Sequence, residues 1–480
     1  MAKKPFFITT AIPYVNSKPH IGHALEFVQA DIIARWQKLS GREVFFLSGT
    51  DDNAMKNVQA AEAAGVPVAD FVNRNSAIFK KMEEDLEVET NDFISTSVDP
   101  RHTKGAQKLW SVCKKEDIYK KKYRGFYCIG CEEFKTEKDL INGECPEHRG
   151  KKLEIVEEEN YFFRLKNYQA KLKELISNNT ISIIPETRRN ETLAFIKNGL
   201  EDFSISRSAV RAKGWGISVP GDESQMMYVW FDALSNYINA LGYDSNDALY
   251  KKFWADDGER VHCIGKGINR FHTIYWPAML LSAGLSLPTK IFIHGYITAD
   301  GEKMSKSIGN VVDPQSLIDE YGAEALRYFL AREISTFEDS PFTMERFKAA
   351  YNSGLANGLG NLVSRVMKMA ATHLEKPIEI PPDTITEDFK NALNNFDIQK
   401  ASSIVWKNIA EADAIIQEKA PFKLVKTDKA TAQKIIQDLC IRLYTIGRML
   451  NPIMPETSIV VKNLVKENKM PDKPLFARKD

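Results

Sequence analysis

Apolar positions in the first fifty residues change period twice. Phe6, Phe7 and Ile8, followed by Thr9 and Thr10, predict a short strand. Ile21, Leu25, Val28, Ile32 and Trp36 then recur at helical spacing up to Leu39, and Gly41 closes the segment. Val44 to Leu47 predicts a second strand, which ends in Gly49-Thr50-Asp51-Asp52, and residues 71–86 predict another helix. Strand, helix and strand in this order predict a parallel sheet with crossover helices. In such sheets ligands lie beyond the carboxyl ends of the strands. The loops after Thr10 and Leu47 are therefore both placed at a candidate site.

The pattern changes from about Tyr119 to Pro220, where charges cluster (KKKYRG, EIVEEEN) and three cysteines crowd together. This stretch predicts an insertion. Strand and helix patterning then resumes: Tyr228 to Tyr237 runs towards a helix, Val261 to Ile264 predicts a strand, Phe271 to Leu281 a helix and Ile291 to Ile297 a strand. Beyond about Ser340 the strands end. Asn352 to Met369, Asp397 to Gln417 and Ala432 to Leu450 predict amphipathic helices of a bundle. The expected class is α/β, a doubly wound parallel sheet with an insertion, followed by an all-α bundle. The expected divisions are residues 1–118 and 226–290 for the two halves of the sheet domain, 119–225 for the insertion, 291–345 for a connecting region and 346–480 for the bundle.

Composition narrows the class further. A chain of 480 residues has room for two to four domains. Its net charge of +1 gives no global field for a nucleic acid, so such a partner must find local patches. The N-terminal MAKKPFFITTAIPY has too brief an apolar run for a signal peptide. No stretch reaches the ~18 apolar residues of a membrane span, so no membrane association is expected, and a cytoplasmic location is. Six cysteines are too few for a secreted disulfide scaffold. Cys113, Cys263 and Cys440 sit singly in apolar surroundings and read as small buried hydrophobes.

Two segments carry candidate chemistry for an anion. Pro19-His20-Ile21-Gly22-His23 opens the first predicted helix, with two imidazoles three apart on one face and free N–H groups at the helix start. Far along the chain, GEKMSKSIGN (residues 301–310) packs Lys303, Ser305 and Lys306 among small residues, a composition suited to gripping a polyphosphate. The pair PHIGH and KMSKS resembles the double signature of the class I aminoacyl-tRNA synthetases. That resemblance implies a Rossmann-type catalytic domain that condenses an amino acid with ATP in the presence of Mg²⁺. It assigns His20 and His23 to the transition state at the α-phosphate, Lys303 and Lys306 to the β- and γ-phosphates, and Gly22 and Ser305 to ATP binding. Residues 291–345 become the KMSKS loop and a stem-contact region.

Three further segments narrow the amino acid: Ala11-Ile12-Pro13-Tyr14, Tyr228 to Tyr237, and Gly265 to His272 with the helix leading to Leu280. They resemble the methionyl-tRNA synthetase family, and the likeness runs over nearly the whole chain. It implies a ligase that forms methionyl-adenylate from L-methionine and ATP and then charges tRNA(Met). It assigns Ala11, Ile12, Tyr14, Trp230, Ala233, Leu234, Tyr237, Ile268 and His272 to the methionine pocket. Aromatic and aliphatic walls suit a polarizable thioether, with Tyr14 and His272 expected to hydrogen-bond near the sulfur. Asp51 is expected to receive the substrate ammonium group.

Cys128-Ile-Gly-Cys131 and Cys145-Pro-Glu-His148 form CxxC and CxxH with thirteen residues between the halves. Tetrahedral zinc takes four such ligands on two tight knuckles. One structural zinc is expected, against the alternative of a reduced, metal-free set. In the bundle, Asn357, Asn361 and Arg365 repeat every four residues, and Ala420-Pro421-Phe422 opens a later segment. A polar stripe and a helix-starting proline describe them equally well. The resemblance makes Asn357, Asn361, Arg365, Pro421 and Phe422 the anticodon reader, with Phe422 stacking on an unpaired base.

The chain departs from the family at several points. It has Gly49-Thr50-Asp51-Asp52-Asn53-Ala54 where GTDEHG is usual, Gly267 where GKD has its aspartate, and Phe422 where tryptophan is common. No extra C-terminal nucleic-acid domain is visible, and a monomer is expected. Two other classes stand beside the ligase: a synthetase-like nucleotidyltransferase acting on a small thiol or amine, and a catalytically inactive tRNA-binding paralogue. The bundle set speaks against the first, and intact PHIGH and KMSKS against the second.

Overall fold

The computed structural model describes residues 3–135, 137–146, 150, 152–299, 302–303 and 312–479. The chain forms two compact units: residues 1–19, 41–84 and 89–294 make the first, and residues 20–40, 85–88 and 295–480 the second.

The first unit is built on six parallel strands in the order Asp92–Ser95, Val44–Thr50, Phe6–Thr10, Glu259–Gly265, Lys290–His294, Ser182–Ile184. Phe6, Phe7 and Ile8 are fully buried. A strand covered on both faces is a continuous apolar run, as here, and not an alternating one. Sequence neighbours lie to one side of Phe6–Thr10 and the late strands to the other, so the switch point falls between Phe6–Thr10 and Glu259–Gly265. Gly49 is required by close packing, because a Cβ there would meet the Ile94 carbonyl oxygen at 2.1 Å. Two helices of this unit were not legible as periodic runs, Met55–Ala64 and Pro100–Val112. The second nonetheless carries a start signal, Asp99 accepting from the Arg101 N–H at 2.9 Å with Pro100 in the first turn.

The expected insertion holds an antiparallel sheet in the order Glu133–Lys135, Ile118–Cys128, Glu154–Phe163, Phe203–Ser204, but it does not run unbroken over 119–225, because Ser182–Ile184 returns to the edge of the central sheet. Its central pairing sets Lys122 opposite Glu159 and Arg124 opposite Glu157. The two charged clusters of the sequence are thus halves of one cross-strand ladder, where opposite charges stabilise the pairing.

Three expected elements differ. The strand expected over Ile291 to Ile297 is two strands, Lys290–His294 in the central sheet and Ile297–Ala299 in a small separate sheet with Glu302–Lys303 and Ser340–Phe342. The break is at Gly295, where a Cβ would meet the Glu338 backbone at 2.3 Å, and at Tyr296, whose N–H donates to Asp339 Oδ1 at 2.9 Å. Phe271 to Leu281 begins as a π turn, Phe271–Tyr275, before the α-helix Trp276–Ala283. Asn352 to Met369 likewise begins in a π-helical stretch, Tyr351–Gly360, and continues as Asn361–His373. A hydrophobic pattern does not separate these windings from an α-helix.

In the second unit the helices Asn361–His373, Ile398–Lys419, Lys429–Leu450 and Pro455–Glu467 supply a bundle core, with Val363, Val405, Leu443 and Val461 fully buried. Arg327 is also fully buried. It donates to Asp31 Oδ2 at 2.6 Å and to the carbonyls of Ile453 at 2.9 Å, Leu86 at 3.0 Å and Pro452 at 3.0 Å. A buried guanidinium is tolerated only when its donors are satisfied in this way.

The same region gives a pH prediction. Burial pushes the half-buried Glu87 carboxyl up to about 7; Glu324 and Glu456 add to the rise, and Arg327 and Arg35 oppose it. A carboxyl whose pKa is higher folded than unfolded takes up a proton on folding. Its stabilising contribution is present at low pH and is lost as pH rises towards 7. Glu87→Gln is therefore expected to lose less stability than the parent between pH 5 and pH 8 in urea unfolding. Parallel pH profiles for the two proteins would contradict this.

Candidate active site

The methionine-pocket candidates gather at the switch point of the central sheet. The Ala11 N–H donates to the Cys263 carbonyl at 3.1 Å, which ties the end of the first strand to its neighbour. Tyr14 and Asp51 form a parallel bridge, with the Asp51 N–H donating to the Pro13 carbonyl at 2.9 Å. Helix Val229–Asn239 adds Trp230, Ala233, Leu234 and Tyr237, all buried. Trp230 stands edge-on to Tyr14 at 6.3 Å and stacks on Phe271 at 3.7 Å between ring centres. Ile12, Tyr14 and Ile268 pack against the same apolar cluster.

His272 is held by two groups of the protein. Its Nδ1 lies 3.0 Å from the Ile268 carbonyl and its Nε2 lies 2.6 Å from the Tyr237 hydroxyl. A carbonyl only accepts, so Nδ1 carries the proton and Nε2 accepts from Tyr237. Both ring nitrogens are thereby engaged within the protein, and His272 orients the Tyr237 hydroxyl. Burial lowers the His272 pKa to about 4, which keeps the ring neutral. Behind it, the Trp276 indole N–H donates to His262 Nε2 at 3.2 Å, so the His262 Nδ1–H faces Thr9 Oγ1 at 2.9 Å. The Tyr14 hydroxyl is buried with no partner among the described residues, and a ligand group would satisfy it.

Asp51 is buried, and desolvation raises its pKa well above the carboxylate range; the nearby Asp232 and Asp52 raise it further. An ammonium group beside it would favour the ionised form that burial opposes. Asn53, one of the departures from the family pattern, donates its backbone N–H to Asp51 Oδ1 at 3.1 Å.

In the second unit, His20 is the N-cap of helix Ile21–Leu39. Its Nδ1 accepts from the Gly22 N–H at 3.1 Å, and His23 Nδ1 accepts from the His20 N–H at 3.1 Å. Each ring therefore carries its proton on Nε2, which makes it a neutral hydrogen-bond donor. The rings stack at 3.9 Å. A Cβ on residue 22 would meet the His20 ring at 2.9 Å, so Gly22 is first of all what lets His20 fold over the helix start. Of the KMSKS loop, Ser305 and Lys306 lie outside the described residues, and only the backbone of Lys303 is described, paired with Thr298.

At the tip of the insertion the Sγ atoms of Cys128, Cys131 and Cys145 lie within 4.8 Å of one another, with Cys131 and Cys145 at 3.5 Å. Zinc with ~2.3 Å bonds sets its thiolates about 3.8 Å apart, so the donor set and spacing suit such an ion. His148 lies outside the described residues. The sequence reading missed the residues that seat this knuckle. Glu132, fully buried beside Cys131, accepts from the Lys56 N–H at 2.8 Å, and the Tyr127 and Tyr228 hydroxyls donate to it. Lys56 Nζ donates to the Gly130 carbonyl at 2.7 Å and lies 4.0 Å from the Tyr14 ring centre.

In the bundle, Asn357 and Asn361 are exposed, Pro421 is buried and Phe422 is 45% exposed. Arg365 pairs with Asp413, a partner 48 residues away that no local pattern announces.

A family model described as "tRNA synthetases class I (M)" matches residues 6–154 and 148–367. The chain is 40% identical over 476 residues to the methionine–tRNA ligase of Brucella suis biovar 1 (strain 1330), covering 95% of this chain and 91% of that one. The chain belongs to the methionyl-tRNA synthetase family. A methionine–tRNA ligase of Caldanaerobacter subterraneus subsp. tengcongensis is 41% identical, over 95% of this chain and 73% of its own length. The Mycobacterium tuberculosis methionyl-tRNA synthetase in complex with methionyl-adenylate has a TM-score of 0.90 and 34% identity, over 99% of this chain and 100% of that one. Members of this family are class I ligases that form aminoacyl-tRNA, and the α/β fold with a helical C-terminal region is the one found here. Among the described residues no helix is long and apolar enough to cross a membrane.

Proposed function

We propose that the chain activates L-methionine with ATP to methionyl-adenylate, releasing pyrophosphate, and transfers the methionyl group to the 3′ end of tRNA(Met). The observation that carries this reading is a buried carboxylate, Asp51, at the switch point beside an aromatic and aliphatic wall with an unsatisfied Tyr14 hydroxyl. A cationic ammonium beside an apolar thioether chain matches both parts. The M. tuberculosis relative, whose structure holds methionyl-adenylate, supports the same intermediate. In this reading Ala11, Ile12, Tyr14, Trp230, Ala233, Leu234, Tyr237 and Ile268 bind methionine, and His272 acts by orienting Tyr237. His20 and His23 donate to oxygens of the α-phosphate as charge builds there, with Gly22 shaping the helix start. Lys303, Ser305 and Lys306 bind the outer phosphates of ATP, which Mg²⁺ accompanies. Cys128, Cys131, Cys145 and His148 hold one structural zinc. The protein acts as a cytoplasmic monomer. ATP–pyrophosphate exchange tests the reading directly: methionine should support it without tRNA, and better exchange with leucine would overturn the pocket assignment.

Asn357, Asn361, Arg365, Pro421 and Phe422 read the anticodon. An exposed phenyl ring offers an unpaired base a stacking surface, which contributes ~1–3 kcal/mol. Arg365 adds a donor fork, held in place by Asp413 until a base edge replaces it. Phe422→Ala and Arg365→Ala should spare methionine-dependent exchange, weaken charging of tRNA(Met), and blur discrimination between CAU and altered anticodons. Variants that fold, activate methionine normally and still reject altered anticodons as the parent does would move anticodon reading to other residues.

A further inference from the structure

A second tier of polar groups lies behind Asp51, and none of the roles above includes it. Asp232, at the start of helix Val229–Asn239, is fully buried. Its Oδ1 is 2.8 Å from His102 Nε2, and its Oδ2 accepts from Asn53 Nδ2 at 3.0 Å. On the far side of the imidazole, Asn239 Nδ2 lies 3.3 Å from His102 Nδ1 and donates to the His102 carbonyl at 3.2 Å. An ionised carboxylate only accepts, so His102 Nε2 presents its proton to Asp232. Asn53 then faces both ways: its side chain grips Asp232, and its backbone N–H holds Asp51 Oδ1 at 3.1 Å. Asn57 Nδ2 secures the Asp51 carbonyl at 2.9 Å. His102, Asp232, Asn53 and Asp51 thus form one continuous chain of hydrogen bonds through the interior.

Two features make this more than packing. One residue bridges the two carboxyls, Asn53 bonding Asp232 at 3.0 Å and Asp51 at 3.1 Å, and Asp232 adds to the upward push that burial gives the Asp51 carboxyl. Asn53 stands where the family usually has histidine, so in this chain the contact to Asp232 comes from an amide with no charge of its own. We propose that Asp232 is a positioning residue which, through Asn53 and backed by His102, fixes the Asp51 carboxylate and supplies the field that selects an α-ammonium. The proposal rests on the assignment of Asp51 to the methionine ammonium group.

The test compares binding of L-methionine with that of 4-(methylthio)butanoate, the same side chain and carboxylate without the amine, by calorimetry on the whole protein. The parent should prefer methionine by about 10² or more, as a buried charge pair gives. Asp232→Asn and Asn53→Ala should each cut that preference by about tenfold, with binding of the deaminated acid and of ATP unchanged. Asp51→Asn should abolish the preference. If Asp51→Asn does so while both second-tier variants, folded by thermal midpoint, keep the parent preference, the positioning role is wrong and the Asp51 assignment stands. If Asp51→Asn also keeps it, the assignment falls and the proposal with it. Equal weakening of both ligands in the second-tier variants would reduce Asp232 to a structural role.

Discussion

His23→Ala should lower the rate of methionine-dependent pyrophosphate exchange by about 10² or more, as losing a donor aimed at developing charge does. The helix start makes the reason specific. His23 Nδ1 is occupied by the His20 N–H, so Nε2–H is the donor the ring can offer a phosphate oxygen. The substitution also removes half of the capping box, which costs about 1 kcal/mol of helix stability. A thermal midpoint on the same preparation separates that loss from the catalytic one. Methionine affinity, measured without ATP, should stay within about twofold because the methionine-pocket residues are not changed. Exchange within about threefold of the parent would remove His23 from the chemistry.

How far the sequence carried the structure depended on the range of each interaction. The strands Phe6–Thr10 and Val44–Thr50 and the helix Ile21–Leu39 were legible because burial imposes a local period. The helix Met55–Ala64 was not, since only Met55, Asn57, Val58 and Ala61 are buried and the rest is alanine, charge and amide. Pro100–Val112 was legible in principle through Asp99 and Pro100. The pocket residues came from the family likeness; no spacing rule links Tyr14 and Asp51, joined by a parallel bridge, to Trp230, which comes in on helix Val229–Asn239. The likeness in turn pointed to His272 as a partner for sulfur. Both of its nitrogens are engaged by Ile268 and Tyr237, and no sequence displays that. Arg365 with Asp413, and Asp232 with His102 and Asn53, are long-range pairs of the same kind.

Cys128→Ser should lower the metal content from about one zinc per chain to none, and its effect should reach the methionine pocket. A structural zinc contributes roughly 10–16 kcal/mol of apparent binding free energy in small zinc modules, far more than any single contact in the insertion. The three thiols hold Cys128, at the end of one long strand, to a loop that runs directly into Glu132. Glu132 sits in the left-handed region with φ 53° and is anchored by Lys56, Tyr127 and Tyr228. The Trp230 indole N–H reaches the Cys131 carbonyl at 3.5 Å, and Lys56 links Gly130 to Tyr14. A loosened knuckle therefore frees both aromatic walls of the pocket. Methionine KM should rise while ATP KM changes little, and limited proteolysis should cut first between residues 128 and 150. Acidification of the parent should release the metal, because the thiols must be ionised to bind it. Freshly purified protein, never exposed to chelator, that contains no metal by elemental analysis would sink the zinc assignment. A zinc-free Cys128→Ser variant with the parent's methionine KM would leave the metal in place as a purely local clip and break its link to the pocket.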